Sequence, residues 1–184
     1  MDTIIIGNQE WTAANISEII FSNGDLIPVA YDISEWLDYF ESGKPCCMLN
    51  EWCDSGSPFY FYNGFAVSDS RGIGKNGFRI PTQADFLQLT SALDMENGCP
   101  ELRLSTGWQD MFDTLGSNSV KFNGEFVGHI DFDFDNSQSF LWTSEQTEFI
   151  DGEETIIASI YFTFSNLWYD SNRLGLPIRL VKDL

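Results

Sequence analysis

Between residues 62 and 87, Gly72, Gly74 and Gly77 spell G-x-G-x-x-G, and Pro81 follows four residues later. The proline decides what the glycine spacing means. A phosphate-cradling fingerprint needs a strand before the glycines and a helix opening directly on them, so that backbone N–H groups and the helix N-terminus converge on an anion. Here Asp69-Ser70-Arg71 come before and Phe78-Arg79-Ile80-Pro81 after. Pro81 disfavours the α conformation at Ile80, so no helix runs out of the glycines. The spacing predicts a later helix over 82–94, with Thr82 as N-cap and Asp85 completing a variant capping box. Phe86, Leu87, Leu89 and Leu93 recur there at helical spacing, and Gly98 is a stop. The glycines are therefore read as a structural loop that needs positive φ angles, with no nucleotide bound.

The rest of the chain sets the fold class. Residues 3–6 and 10–13 read as strands around the Gly7-Asn8-Gln9 turn. Residues 33–40 form a short amphipathic helix, with Ile33, Trp36, Leu37 and Phe40 on one face. Residues 43–57 look irregular, and 59–67 is an aromatic strand interrupted at Asn63-Gly64. Residues 126–134 and 139–144 suggest two more strands around Asp135-Asn136-Ser137. Residues 156–164 are the clearest strand, apolar on both faces as a central strand is. Residues 176–181 supply a last strand, restricted by Pro177. Two short helices among several strands with long loops indicate a single α+β domain over 1–184. Sixteen Phe, six Trp and six Tyr predict an aromatic-filled core.

Charge narrows the partners. Nine basic against 28 acidic residues leave a net charge of −19. Such a surface cannot release counterions from a nucleic acid, nor does it suit an anionic membrane. No segment approaches membrane-spanning length, and the N-terminal residues carry no basic region, so neither membrane insertion nor an export leader is expected. Without a leader, Cys46, Cys47, Cys53 and Cys99 are expected as reduced, mostly buried thiols. The adjacent pair cannot readily bridge, and no second ligand pair follows to make a zinc site.

Several segments, in order, resemble the Fibrobacter succinogenes major paralogous domain family. Ile6-Gly7-Asn8-Gln9-Glu10-Trp11 through Ile16 is similar to its I-G-x-Q-x-W opening. Asn23-Gly24-Asp25-Leu26-Ile27-Pro28 is similar to its N-G-D-x-I-P turn. Tyr62 to Val67, then Asp69, Arg71-Gly72 and Gly77-Phe78-Arg79-Ile80-Pro81-Thr82 resemble its central run. Phe140-Leu141-Trp142-Thr143-Ser144-Glu145 resembles its W-W-S-S-T-E strand, and Gly175 to Val181 its closing strand. The resemblance spans the whole chain. It implies a C-type-lectin-like fold with mixed antiparallel sheets, paired N- and C-terminal strands and a scaffolding role for the glycine loop. It further implies a phage-encoded, non-enzymatic virion protein, assembled in the host cytoplasm within a larger oligomer or assembly. Its partners are then other virion proteins or host glycans. A bacterial surface adhesin or lipoprotein-type domain is the alternative, with a formylglycine-generating-type oxidase behind it. The family's G-G-Y-R signature is replaced here by Lys121-Phe122-Asn123-Gly124.

Two constellations stand out as ligand sites. Asp131, Asp133 and Asp135, followed by Asn136, alternate with Ile130, Phe132 and Phe134. On a strand the three carboxylates share one face, where they are either a solvated acidic edge or oxygen ligands for calcium. The solvated edge is the preferred reading, so no cofactor is assigned and calcium is kept as a candidate. Trp142, Asn166, Trp168 and Tyr169 combine aromatic faces with an amide, suited to stacking on sugar rings or to filling the core. His129 is the sole histidine, and no G-x-S-x-G elbow accompanies it.

Overall fold

The computed structural model describes residues 1–50, 58–91, 93, 99, 101–103, 117–123, 141–151, 154–162 and 167–184. The N-terminal hairpin forms as its pattern predicts. Strands β1 (Thr3–Ile6) and β2 (Gln9–Thr12) pair antiparallel around a two-residue loop. Gly7 there takes φ 61°, the left-handed conformation that such tight hairpin loops require. The far end of the chain closes this sheet. Strand β9 (Val181–Asp183) lies against β2, with Trp11 opposite Val181 and Glu10 opposite Lys182. Lys182 Nζ sits 3.2 Å from Glu10 Oε2 across that ladder. The expected pairing of the terminal strands is thus present.

Helix α1 (Ile33–Glu41) is capped by Asp32, whose side chain accepts from Glu35 N. Trp36 is its buried anchor, donating from Nε1 to Arg173 O at 2.8 Å. Ile33, expected on the inner face, is 39% exposed.

The second sheet corrects three expectations. Residues 43–57 are not irregular throughout: β3 (Cys47–Asn50) pairs with β4 (Phe59–Asn63). The aromatic strand ends at Asn63 and does not reach Val67. There the Asn63 side chain caps a single helical turn, α2 (Gly64–Val67), accepting from Ala66 N at 2.9 Å. A side chain that satisfies an orphan helix donor stops the strand where sequence pattern alone would continue it. The expected last strand is split in two. Strand β8 (Gly175–Leu176) pairs with β4, and β9 belongs to the other sheet. Between them Pro177 has no N–H for a ladder, and the backbone turns elsewhere: Trp142 N donates to Pro177 O, Ile16 N to Ile178 O and Thr12 N to Leu180 O.

Helix α3 (Gln83–Thr90) begins at the expected cap and carries the full capping box, but it is shorter than 82–94. Strand β5 (Leu141–Asp151) runs well past the expected end at Ser144 and pairs with β6 (Glu154–Phe162). Its register breaks between Trp142 and Gln146, where Thr143 Oγ1 bonds Ile160 O at 2.9 Å. Strand β7 (Leu167–Ser171), absent from the sequence reading, completes a β5-β6-β7 sheet with β6 central, as its apolar pattern predicts. Among the described residues, three small antiparallel sheets and a few short helices make an α+β architecture.

The core is divided. Phe21, Tyr62, Trp142, Leu176 and Ile178 belong to one buried cluster; Trp11, Phe86, Leu102, Phe122 and Val181 form a second. Trp36, Cys46, Phe59 and Phe61 form a third. Cys46 and Cys47 enter different clusters, which explains why neighbours in sequence do not bridge. Both are free thiols, and Cys99 is buried. Burial pushes the Cys46 thiol far up and the Cys47 thiol up to about 12.

Candidate functional site

The glycine loop is tied to the body of the protein. Gly72, Gly74 and Gly77 take φ angles of 65°, 141° and 87°. Ser22 donates through Oγ to Gly74 O at 2.8 Å and through its backbone to Gly72 O at 2.9 Å. Arg71 grips Asp69 through two nitrogens at 2.9 and 2.7 Å, reaches Asp25 at 3.1 Å and lies 3.9 Å over the Phe21 ring. The Arg71 hydrogen bonds, opposed by burial, hold the Asp69 carboxyl below its usual range. A Cβ at Gly74 would sit 2.1 Å from Phe78 O. The glycine is there because a neighbouring backbone occupies the space a side chain would need.

A second polar knot joins α3 to the terminal strands. Asp85, buried at 5% exposure, accepts from Gln9 Nε2 at 2.9 Å and from Arg79 at 2.5 and 3.0 Å. It also accepts from Thr82 N at 2.6 Å and Thr82 Oγ1 at 2.7 Å. Gln9 in turn accepts from Trp11 Nε1, and Arg79 reaches Asp183 at 3.2 Å. Glu145, within the β5 irregularity, accepts from Gln83 N at 2.6 Å. A carboxylate there complements the positive end of α3. Arg179, 1% exposed, donates to Asn15 Oδ1, Thr12 O, Phe122 O and Asn123 O at 2.7 to 3.1 Å. These charges are engaged with the chain itself.

The open chemistry lies elsewhere. A shallow trough of about 460 Å³ runs beside α1, lined by Val29, Tyr31, Glu35, Asp38, Tyr39, Ser42 and Lys44. Tyr31 is 84% exposed. Glu35 Oε2 accepts from Tyr31 N at 2.9 Å, which ties the carboxylate and the tyrosine backbone together. The segment carrying Val29 is tied to β3: Ala30 N bonds Cys47 O and Cys47 N bonds Pro28 O, each at 2.8 Å. Tyr60, paired with Leu49 across β3 and β4, stands close by. Its hydroxyl is pushed up chiefly by burial, and further by Cys47 and Tyr31.

The model of the Fibrobacter succinogenes major domain matches residues 4–182, almost the whole chain. The chain belongs to this family. No curated protein and no solved structure matches it. For this Fibrobacter-type domain, the ligand residues expected from sequence divide into three groups. Asp131, Asp133, Asp135, Asn136 and Asn166 lie outside the described residues. Trp142 is fully buried and donates from Nε1 to Tyr62 O at 2.6 Å, so it is core and offers no face to a ligand. Trp168 and Tyr169 occupy β7, opposite Tyr161 and Ile160 of β6. Among the described residues no group of three His, Cys, Asp or Glu could hold a metal ion, and no helix is long and apolar enough to cross a membrane.

The sequence reading missed the trough. Glu35, Asp38 and Tyr39 lie on α1, while Val29, Tyr31, Ser42 and Lys44 come from the segments on either side of it. Residues 28–30 are held to Cys47 of β3, a long-range pairing invisible in the sequence.

Proposed function

We propose that this Fibrobacter-type domain is a non-enzymatic, C-type-lectin-like binding and structural module of a phage virion. It sits on a capsid or tail and contacts host-surface glycans or a neighbouring virion protein. The observation that carries this reading is the contrast between its two kinds of polar group. Asp85, Arg79 and Arg179 are bonded within the fold, whereas Tyr31, Asp38 and Lys44 line an open trough. Preorganised aromatic and hydrogen-bonding groups on an open surface suit recognition.

The closure of β2 on β9 supports a lectin-like fold. Buried free thiols at Cys46 and Cys47 favour folding in a reducing compartment, where phage particles assemble. The net charge of −19 disfavours nucleic acid as a partner and favours contact with neutral or cationic surfaces within an assembly. No cofactor is assigned, and Asp131, Asp133 and Asp135 remain the calcium candidates.

Immunogold labelling and peptide mass spectrometry of gradient-purified particles test the virion assignment. The expected result is stoichiometric incorporation and labelling at one place on the particle. Protein confined to the bacterial cell surface, with none in particles, overturns it in favour of an adhesin.

A further inference from the structure

We propose that the trough beside α1 binds an uncharged hexose segment of a glycan, with Tyr31 as the stacking platform. This rests on the binding-module reading and names the site and ligand class within it.

The lining chooses the ligand. Glu35 and Asp38 present acceptors, while Lys44 and the hydroxyls of Ser42 and Tyr39 present donors within the same concave surface. An anion meets the two carboxylates, and a cation meets Lys44. A polyol meets neither penalty, because each sugar hydroxyl both donates and accepts. Hydrogen bonds to charged partners are also the stronger kind.

Tyr31 supplies the apolar half of the contact. At 84% exposure its ring is among the most open large side chains described, and the C–H face of a pyranose covers such a ring without needing a charge. Val29 adds apolar surface to the same lining.

Little has to be ordered on binding. Trp36 pins α1 to Arg173 O, and the 28–30 segment is hydrogen-bonded to β3. The volume of about 460 Å³ falls within the roughly 300–1,000 Å³ range of small-molecule clefts.

The full chain is tested against immobilised mannohexaose, cellohexaose and maltohexaose. Charged controls are sialyllactose, oligogalacturonate and a Lys/Arg-rich heptapeptide. At least one neutral oligosaccharide is expected to bind saturably, to persist in high salt and to shift backbone amide resonances across 31–44. Tyr31→Ala is expected to weaken that binding about tenfold, and Asp38→Asn several-fold, with circular dichroism unchanged. Neutral-glycan binding that ignores both variants overturns the site while leaving glycan recognition by the module intact. Binding of the heptapeptide alone, lost in Asp38→Asn, overturns the ligand class and makes the trough a protein-docking site. Binding to none of the panel overturns the proposal outright. Presence or absence in particles is a separate result and does not decide among these.

Discussion

Replacing Asp85 by Asn probes the knot that holds α3 to the terminal strands. The carboxylate accepts hydrogen bonds from Gln9, Arg79 and Thr82. An amide of the same shape keeps one acceptor oxygen and turns a donor toward donors. The Arg79 side chain is 42% exposed, so its share is that of a partly solvated pair, about 1 kcal/mol. The capping bond contributes about 1 kcal/mol. Gln9 is fully buried, and an unsatisfied amide there costs about 1–2 kcal/mol. These losses share one carboxylate and do not add cleanly; the expected net loss is about 3 kcal/mol. For a chain of this size that lowers Tm by about 6–12 °C. Urea unfolding followed by circular dichroism reads it as a lower midpoint at unchanged slope.

The same carboxylate has a pH signature. Burial pushes Asp85 up, but the bonds from Arg79 and Thr82 outweigh it and hold the carboxyl below its ordinary value. A depressed folded pKa contributes stability above the unfolded value of about 3.9, lost as pH falls through the lower folded value. The gap between wild type and Asp85→Asn is therefore flat above about pH 5 and narrows below about pH 4. A loss smaller than about 1 kcal/mol at neutral pH, or a gap that persists unchanged into acid, refutes the reasoning.

Arg179→Lys keeps the charge but loses the fork that serves Thr12, Asn15, Phe122 and Asn123. A loss of about 2–4 kcal/mol is expected, with faster amide exchange at residues 122–123. Gly74→Ala places a Cβ against Phe78 O at 2.1 Å, where backbone must move. It should cost at least about 3 kcal/mol, against about 1 kcal/mol for Gly7→Ala, whose φ is also positive but whose surroundings are open. Cys46, Cys47 and Cys99 should resist a thiol reagent at pH 8 in the native protein and react fully in urea, as followed by peptide mass spectrometry.

What could be read in the sequence was local. Thr82 and Asp85 announced the start of α3, because a capping box is written in four residues. The β1–β2 hairpin was written in its alternation and in Gly7. The failure of the glycine fingerprint was written in Pro81. The shape of β6 followed from a run of β-branched and aromatic residues, a pattern a central strand tolerates on both faces.

The remainder depended on which distant segments met. Residues Cys47–Asn50 became a strand because β4 lay beside them. The 176–181 segment broke because Tyr62 claimed Leu176 while Trp11 claimed Val181. Trp142 suited either a sugar platform or the core in sequence, and its indole N–H on Tyr62 O and its complete burial decide for the core. The Asp131–Asp133–Asp135 run lies outside the described residues and keeps its sequence reading. The chain alone determined its caps, turns, charge and family, since short-range sterics and hydrogen bonds set those. The fold alone decided which aromatics are buried and which, like Tyr31, stand in the open, because burial is a property of the neighbours a residue acquires.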